Sequence, residues 1–237
     1  MSEHGLGAAE IRFAFLIEPP FCYRASDGAV TGCDVEVARH CLHTVGVETI
    51  VFLETEFAEL LPGLANGRWD MTTGLFVTDE RRRLADFSRP IWALPDGLLV
   101  HSDNPREIVG YRTFARSREL RLAAVKDQVQ HGTARRPGVG QDQIRLFETY
   151  AEAASAVAAG TVDAYASVAM AHRGYLSLNP SLPLTVVEIP HSEKIGESGA
   201  FAFSKSKLEL GRAVDKVLAT YLGSADHRAL IARFGFT

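Results

Sequence analysis

Apolar positions come first as short runs and then as helical stripes. Residues 11–17 form an apolar run closed by Pro19-Pro20, which predicts a buried strand. Residues 31–46 follow as a helix. Val37, Cys41 and Val45 share one face with Ala38 and Leu42 beside them, Asp34 stands as the expected N-cap, and Gly46 ends it. A second strand is predicted over 49–53 and a helix over 58–66, where Pro62 falls early enough to be tolerated. A third strand over 69–75 leads to Thr78, a good N-cap, with Asp79 and Glu80 at the positive end of the helix dipole. Strand–helix alternation of this kind predicts an α/β fold with parallel sheet layers.

The plan recurs weakly. Gly67-Arg68-Trp69-Asp70 closes a helix and enters a strand, and Gly160-Thr161-Val162-Asp163 does the same later in the chain. One such unit per half fits two similar α/β lobes, each feeding a strand at a cleft. The alternative, that any α/β turn uses glycine this way, stays open on pattern alone.

Arg81 is the residue out of place. A cation in a first helical turn opposes the dipole unless an anion sits there. Backbone N–H groups, the dipole and a guanidinium together would make a carboxylate receptor. The plainer alternative makes Arg81, Arg82 and Arg83 one solvated face.

Bulk composition narrows the classes. At 237 residues the chain suits one large domain or two lobes. A net charge of −4 leaves no basic footprint for nucleic acid. No apolar run approaches the roughly 18 residues a membrane span needs. The opening MSEHGLGAAE has no apolar region of a signal peptide. Cys22 and Cys33 flank a turn at Asp27-Gly28 and could meet across it, but free, partly buried thiols are expected. The eight scattered histidines make no zinc pattern, and neither a metal nor a cofactor is expected.

Thr78, Glu80 and Arg81, then Asp86-Phe87-Ser88, Pro90 and Trp92, resemble the signature of the family 3 bacterial solute-binding proteins, which feed polar amino-acid ABC transporters. Asp79 stands where that signature usually has proline. The resemblance runs from Ile11 to Phe236, specific in its first half and loose in its second. It implies a two-lobed, periplasmic-binding-protein-like type II fold, with lobe 1 at 1–98 plus 201–237 and lobe 2 at 99–200. Apolar runs at 98–101 and 200–203 would be the hinge strands. Further strands are expected over 121–125 and 164–168, with helices over 151–159, 210–221 and 225–234. The resemblance also implies a monomeric receptor, periplasmic or on the cell surface, that closes over a small zwitterion and delivers it to an ABC transporter permease. Without a signal peptide in view, a cytoplasmic location stays open.

Ligands of open α/β sheets bind beyond the carboxyl ends of the strands. In lobe 1 that places Glu18, Phe21, Phe57, Gly74, Phe76 and Arg81 together. Three aromatic faces and a carboxylate suit a cation, and Arg81 suits a carboxylate. A phenylalanine near a strand end is more often core, and Glu18 before two prolines can be a plain loop charge. The set resembles that of the ectoine and hydroxyectoine receptors, although Phe57 stands where a tyrosine is expected there. By that resemblance Gly74 lets the backbone approach the ligand carboxylate. Lobe 2 departs further. Residues 164–168 carry no aspartate for an ammonium, and Lys126-Asp127-Gln128-Val129 replaces a Gly-Thr-Thr turn. Gln128 and Ser167 are the lobe 2 candidates. A second class stays in play: an enzyme on this scaffold, resembling the cyclohexadienyl dehydratases, with Glu18 as general acid.

Overall fold

A computed structural model describes residues 10–236. The opening segment 1–9, where the leader was sought, lies outside the described residues, as does Thr237, the last residue expected in lobe 1. The chain divides into two compact units, one running to Ala93 and resuming at Ser198, the other Leu94–Glu197. The divisions fall a few residues before those expected at 98 and 201. The strand Asp96–His101 therefore belongs whole to the second unit.

In the first unit the sheet order is Thr49–Glu54, Glu10–Phe15, Met71–Phe76, Glu197–Phe203, Asp86–Phe87. The first three strands are parallel and Glu197–Phe203 runs antiparallel to Met71–Phe76. The second unit repeats this: Ile144–Phe147, Leu122–Val125 and Ala164–Val168 are parallel, and Asp96–His101 then runs antiparallel. Strands buried on both faces read as continuous apolar runs, which is why residues 11–16 stood out; the strand at 122–125, expected over 121–125 from the resemblance, is buried in the same way. The first strand stops at Phe15, and Ile17, expected inside it, is exposed.

The Gly-x-x-Asp echo is structural in both units. Gly67 and Gly160 both take φ 68°, a left-handed conformation suited to glycine after a helix. Asp70 and Asp163 then perform the same task. The Asp70 amide donates to the Arg12 carbonyl (2.9 Å) and its carboxylate accepts from the Arg12 amide (2.9 Å). The Asp163 amide donates to the Arg121 carbonyl (2.8 Å), and its carboxylate accepts from the Arg121 amide (2.7 Å). Each unit thus closes a helix and feeds a strand, Met71–Phe76 in one case and Ala164–Val168 in the other. Both aspartates lie at the starts of their strands, opposite the carboxyl ends, and lock a neighbouring strand in register.

Helix Cys33–Thr44 corrects a further expectation. Its N-cap is Gly32 at φ 131°, not Asp34. A Cβ at Gly32 would stand 2.1 Å from the Phe21 carbonyl oxygen, so only glycine fits. The first helical amides are satisfied instead by backbone: Cys33 N–H donates to Pro20 O and Asp34 N–H to Phe21 O. Asp34 is thereby released from capping and turned into the interior. Cys22, Cys33 and Cys41 are all buried free thiols. Among the described residues no helix is long and apolar enough to cross a membrane, and no group of three acidic, histidine or cysteine side chains is placed to hold a metal.

Candidate functional site

In the first unit the carboxyl ends of the parallel strands carry the residues singled out by sequence. Glu18 closes a tight turn after the first strand, accepting from the amides of Phe21 (3.0 Å) and Cys22 (3.2 Å). That turn presents Phe21, only 4% exposed, whose ring lies 5.6 Å from Trp92 and 5.8 Å from Phe236. Phe57 opens a short 3-10 helix after the strand Thr49–Glu54. Phe76 ends the third strand, its ring edge-on to Trp92 at 5.2 Å.

Arg81 lies in the helix Asp79–Leu84, whose N-cap Thr78 accepts from the Arg81 amide (3.2 Å). Its guanidinium is not on a solvated face. It is 7% exposed, donates from Nη1 to the Phe76 carbonyl (2.9 Å), and sits 5.3 Å over the Phe57 ring. Arg82 and Arg83 do follow the plain reading and are exposed. A planar guanidinium that donates to a carbonyl and stacks on a ring is held in a fixed direction. Phe76 thus joins two clusters: its carbonyl meets Arg81 and its ring meets Trp92.

Beneath these rings lies a feature that sequence reading missed. The buried Asp34 carboxylate accepts from Thr73 Oγ1 (2.7 Å), the Gly74 amide (2.8 Å) and the Trp92 indole N–H (3.1 Å). Burial pushes its pKa up to about 6, against the pull of those three donors. Cys22 Sγ in turn donates to Thr73 Oγ1 (3.1 Å). The Gly74 amide therefore serves Asp34. The lack of a side chain there has a local cause: an added Cβ would meet Asp34 Oδ2 at 2.9 Å and the Trp92 ring at 3.0 Å. The one available signal was Gly32 ahead of Asp34, since a capping glycine leaves the next acid free for another task.

In the second unit Gln128 is the buried N-cap of the seven-residue helix Val129–Arg135. The turn before it holds Asp127 at φ 62°, which aspartate tolerates better than most residues. Ser167 is buried in the strand Ala164–Val168, opposite Gly97. Lys126 is exposed, its ammonium 3.8 Å from Glu148.

The profile of the bacterial extracellular solute-binding proteins, family 3, matches residues 11–236. A probable amino-acid ABC transporter periplasmic-binding protein of Sinorhizobium fredii is 31% identical over 232 residues, 95% of this chain and 77% of that protein. This chain is a family 3 solute-binding protein. A crystal structure of EhuB in complex with hydroxyectoine superposes with a TM-score of 0.87 at 26% identity, covering 96% of this chain and 89% of that one. The fold is accordingly the type II fold of the periplasmic binding proteins, and the family's work is solute binding for ABC transport. A shorter likeness, 33% over 72 residues, covers 30% of this chain and 26% of the cyclohexadienyl dehydratase of Pseudomonas aeruginosa.

Proposed function

We propose that this family 3 protein is the extracytoplasmic receptor of an ABC importer for a small zwitterionic carboxylate, ectoine-like or derived from an amino acid. The observation that carries the reading is Arg81: a buried guanidinium, fixed by the Phe76 carbonyl and the Phe57 ring, following the third strand of the sheet whose first strand leads into the Glu18–Phe21 turn. Arg81 grips the solute carboxylate. Glu18, Phe21, Phe57 and Phe76 surround its cation, and Gln128 and Ser167 add contacts from the second unit. Likeness to the EhuB–hydroxyectoine complex supports a delocalised cation, because rings supply faces rather than directional acceptors. The partners are the solute and a transporter permease, and the receptor acts as a monomer outside the cytoplasm.

Calorimetry of ectoine, hydroxyectoine, proline betaine and the common amino acids tests this. A cyclic or quaternary zwitterion is expected to bind most tightly, and glutamate least, since Glu18 repels its side chain. Arg81→Ala removes a charge-assisted pair worth roughly 1.5–3 kcal/mol, whereas Arg83→Ala changes little. Equal affinities in the two variants would sink the assignment. The stretch shared with cyclohexadienyl dehydratase favours a second reading, an enzyme with Glu18 as acid. Incubation with prephenate and arogenate decides it: the receptor reading expects no phenyl product.

A further inference from the structure

Trp92 is wedged in a slot that two glycines make possible. A Cβ at Gly199 would meet its ring at 2.0 Å and one at Gly74 at 3.0 Å, and these glycines lie on adjacent antiparallel strands. On its edges the indole meets Phe21 at 5.6 Å and Phe76 at 5.2 Å, the two most buried rings of the cage. Its only polar atom donates to Asp34, whose other oxygen holds the Gly74 amide and the Thr73 hydroxyl. One carboxylate therefore ties the third strand to the ring that separates Phe21 from Phe76. We propose that Trp92 and Asp34 form the positioning pair of the solute cage, and that the ionised Asp34 sets the receptor's preference for a delocalised or alkylated cation over a primary ammonium. The proposal rests on the zwitterion reading above.

The physical reason is geometric. Attraction between a cation and rings requires the faces to converge on one point, and a rotated ring offers its positive edge instead. Both Phe21 and Phe76 touch the indole, at 5.6 and 5.2 Å, so its placement bears on the angle at which each ring is held. When Asp34 gains a proton, its hydroxyl becomes a donor. The Thr73 hydroxyl can reverse and accept from it, but the charge that strengthens all three bonds is gone, and the indole, bonded at the longest distance, is held more weakly. The other titratable groups facing Asp34 are Cys22 and Cys33. Burial raises both thiols well above their ordinary range, so they stay neutral between pH 5 and 8. Glu18 faces Cys22 from the same turn.

The test compares the unaltered protein with Asp34→Asn, Trp92→Phe and Arg81→Ala, using ectoine and proline betaine as delocalised and quaternary probes and lysine as the primary-ammonium probe. Calorimetry at pH 7.5 is expected to show ectoine and betaine affinity at least tenfold lower in Asp34→Asn and Trp92→Phe. Lysine should change less, so the selectivity ratio shrinks; Arg81→Ala lowers all three. Affinity of the unaltered protein for ectoine should fall severalfold from pH 7.5 to 5, while Asp34→Asn gives a flat profile, which excludes Glu18 as the cause. Should Asp34→Asn fail to fold, Trp92→Phe and the pH profile of the unaltered protein decide alone. If Arg81→Ala weakens binding but neither other variant shifts the ratio or the profile, the positioning pair is wrong and the zwitterion reading stands. If the unaltered protein binds none of the probes, both fail.

Discussion

The two units share a sheet order and the same aspartate lock, yet they use buried polar groups in opposite ways. In the first unit the interior carboxylate, Asp34, accepts from three neutral donors, one of them the indole that touches Phe21 and Phe76. In the second unit the interior carboxylate, Asp96, is neutralised. It accepts from Lys194 Nζ (2.6 Å), Tyr111 Oη (2.7 Å) and Gln130 Nε2 (3.0 Å), joining a strand, two helices and the segment before Glu197. A second buried cluster there centres on His172, which lies between the Tyr150 hydroxyl (2.5 Å) and the Gly97 carbonyl (3.2 Å). An uncompensated buried charge suits a site that must respond to a ligand. A compensated one suits a scaffold. That contrast fits the proposal that the first unit sets solute selectivity.

The sharpest way to break this contrast is at Lys194. Lys194→Met leaves Asp96 buried without its cation, a loss of about 3–5 kcal/mol for a buried pair. Native-state hydrogen exchange should show the loss in the sheet built on Leu122–Val125 and not in the sheet built on Glu10–Phe15. Equal loss of protection in both sheets would show that the network is not local to its unit.

How much of this was legible in the sequence follows from how local each signal is. The strands and helices up to the Arg81 region were readable because their periodicity and capping fall within about ten residues, whereas the later elements were expected from the family resemblance. The echo at Asp70 and Asp163 was readable as a pattern but not as a lock, because Arg12 and Arg121 lie 58 and 42 residues away. Asp34 looked like a cap because a first-turn acid usually is one. Its true partners, Thr73, Gly74 and Trp92, are 39, 40 and 58 positions on. Lys194 and Asp96, 98 residues apart, left no trace, since a lone lysine in a loop reads as solvated.

The aspartate lock gives a direct test of likeness between the units, with a smaller effect. Asp70 also receives the Arg12 guanidinium (Nη2 to Oδ1, 3.0 Å) and Lys207 (3.3 Å), whereas the Arg121 guanidinium turns to the carbonyls of Arg118, Glu119 and Leu120. Asp163 has only a looser contact with Arg106 at 3.6 Å. Burial raises the Asp70 pKa, but Arg12 and Lys207 outweigh it and leave the group below its ordinary value. Asp70→Ala should therefore cost roughly 1.5–3 kcal/mol and Asp163→Ala nearer 1. Denaturant melts of the two variants, read as midpoints at constant slope, check the ranking. The reverse order would mean that backbone satisfaction, common to both, outweighs the charges.

The smallest effect separates the units by sign. Burial pushes the His172 pKa down to about 3, with the Gly97 and Tyr165 backbone opposing it. Since the Gly97 carbonyl can only accept, Nε2 carries the proton and Nδ1 accepts from Tyr150, so the neutral ring fits and the charged one does not. A pKa below that of the unfolded chain gives stability fully present above about pH 6.5 and lost as pH falls toward 3. Between pH 7 and 5.5 the loss is about 1 kcal/mol in the second unit. Asp34 acts the other way. Its pKa near 6 exceeds that of an unfolded aspartate, so its contribution grows as pH falls from about 6 toward 4, by under about 1 kcal/mol over the same interval. Mild acid should therefore loosen the second unit while the first holds its protection against hydrogen exchange, even as the first loses its grip on solute. His172→Phe should flatten the slope in the second unit and Asp34→Asn in the first, each leaving the other unchanged. Parallel slopes in both units would mean that the buried acid and the buried base are not what distinguishes them.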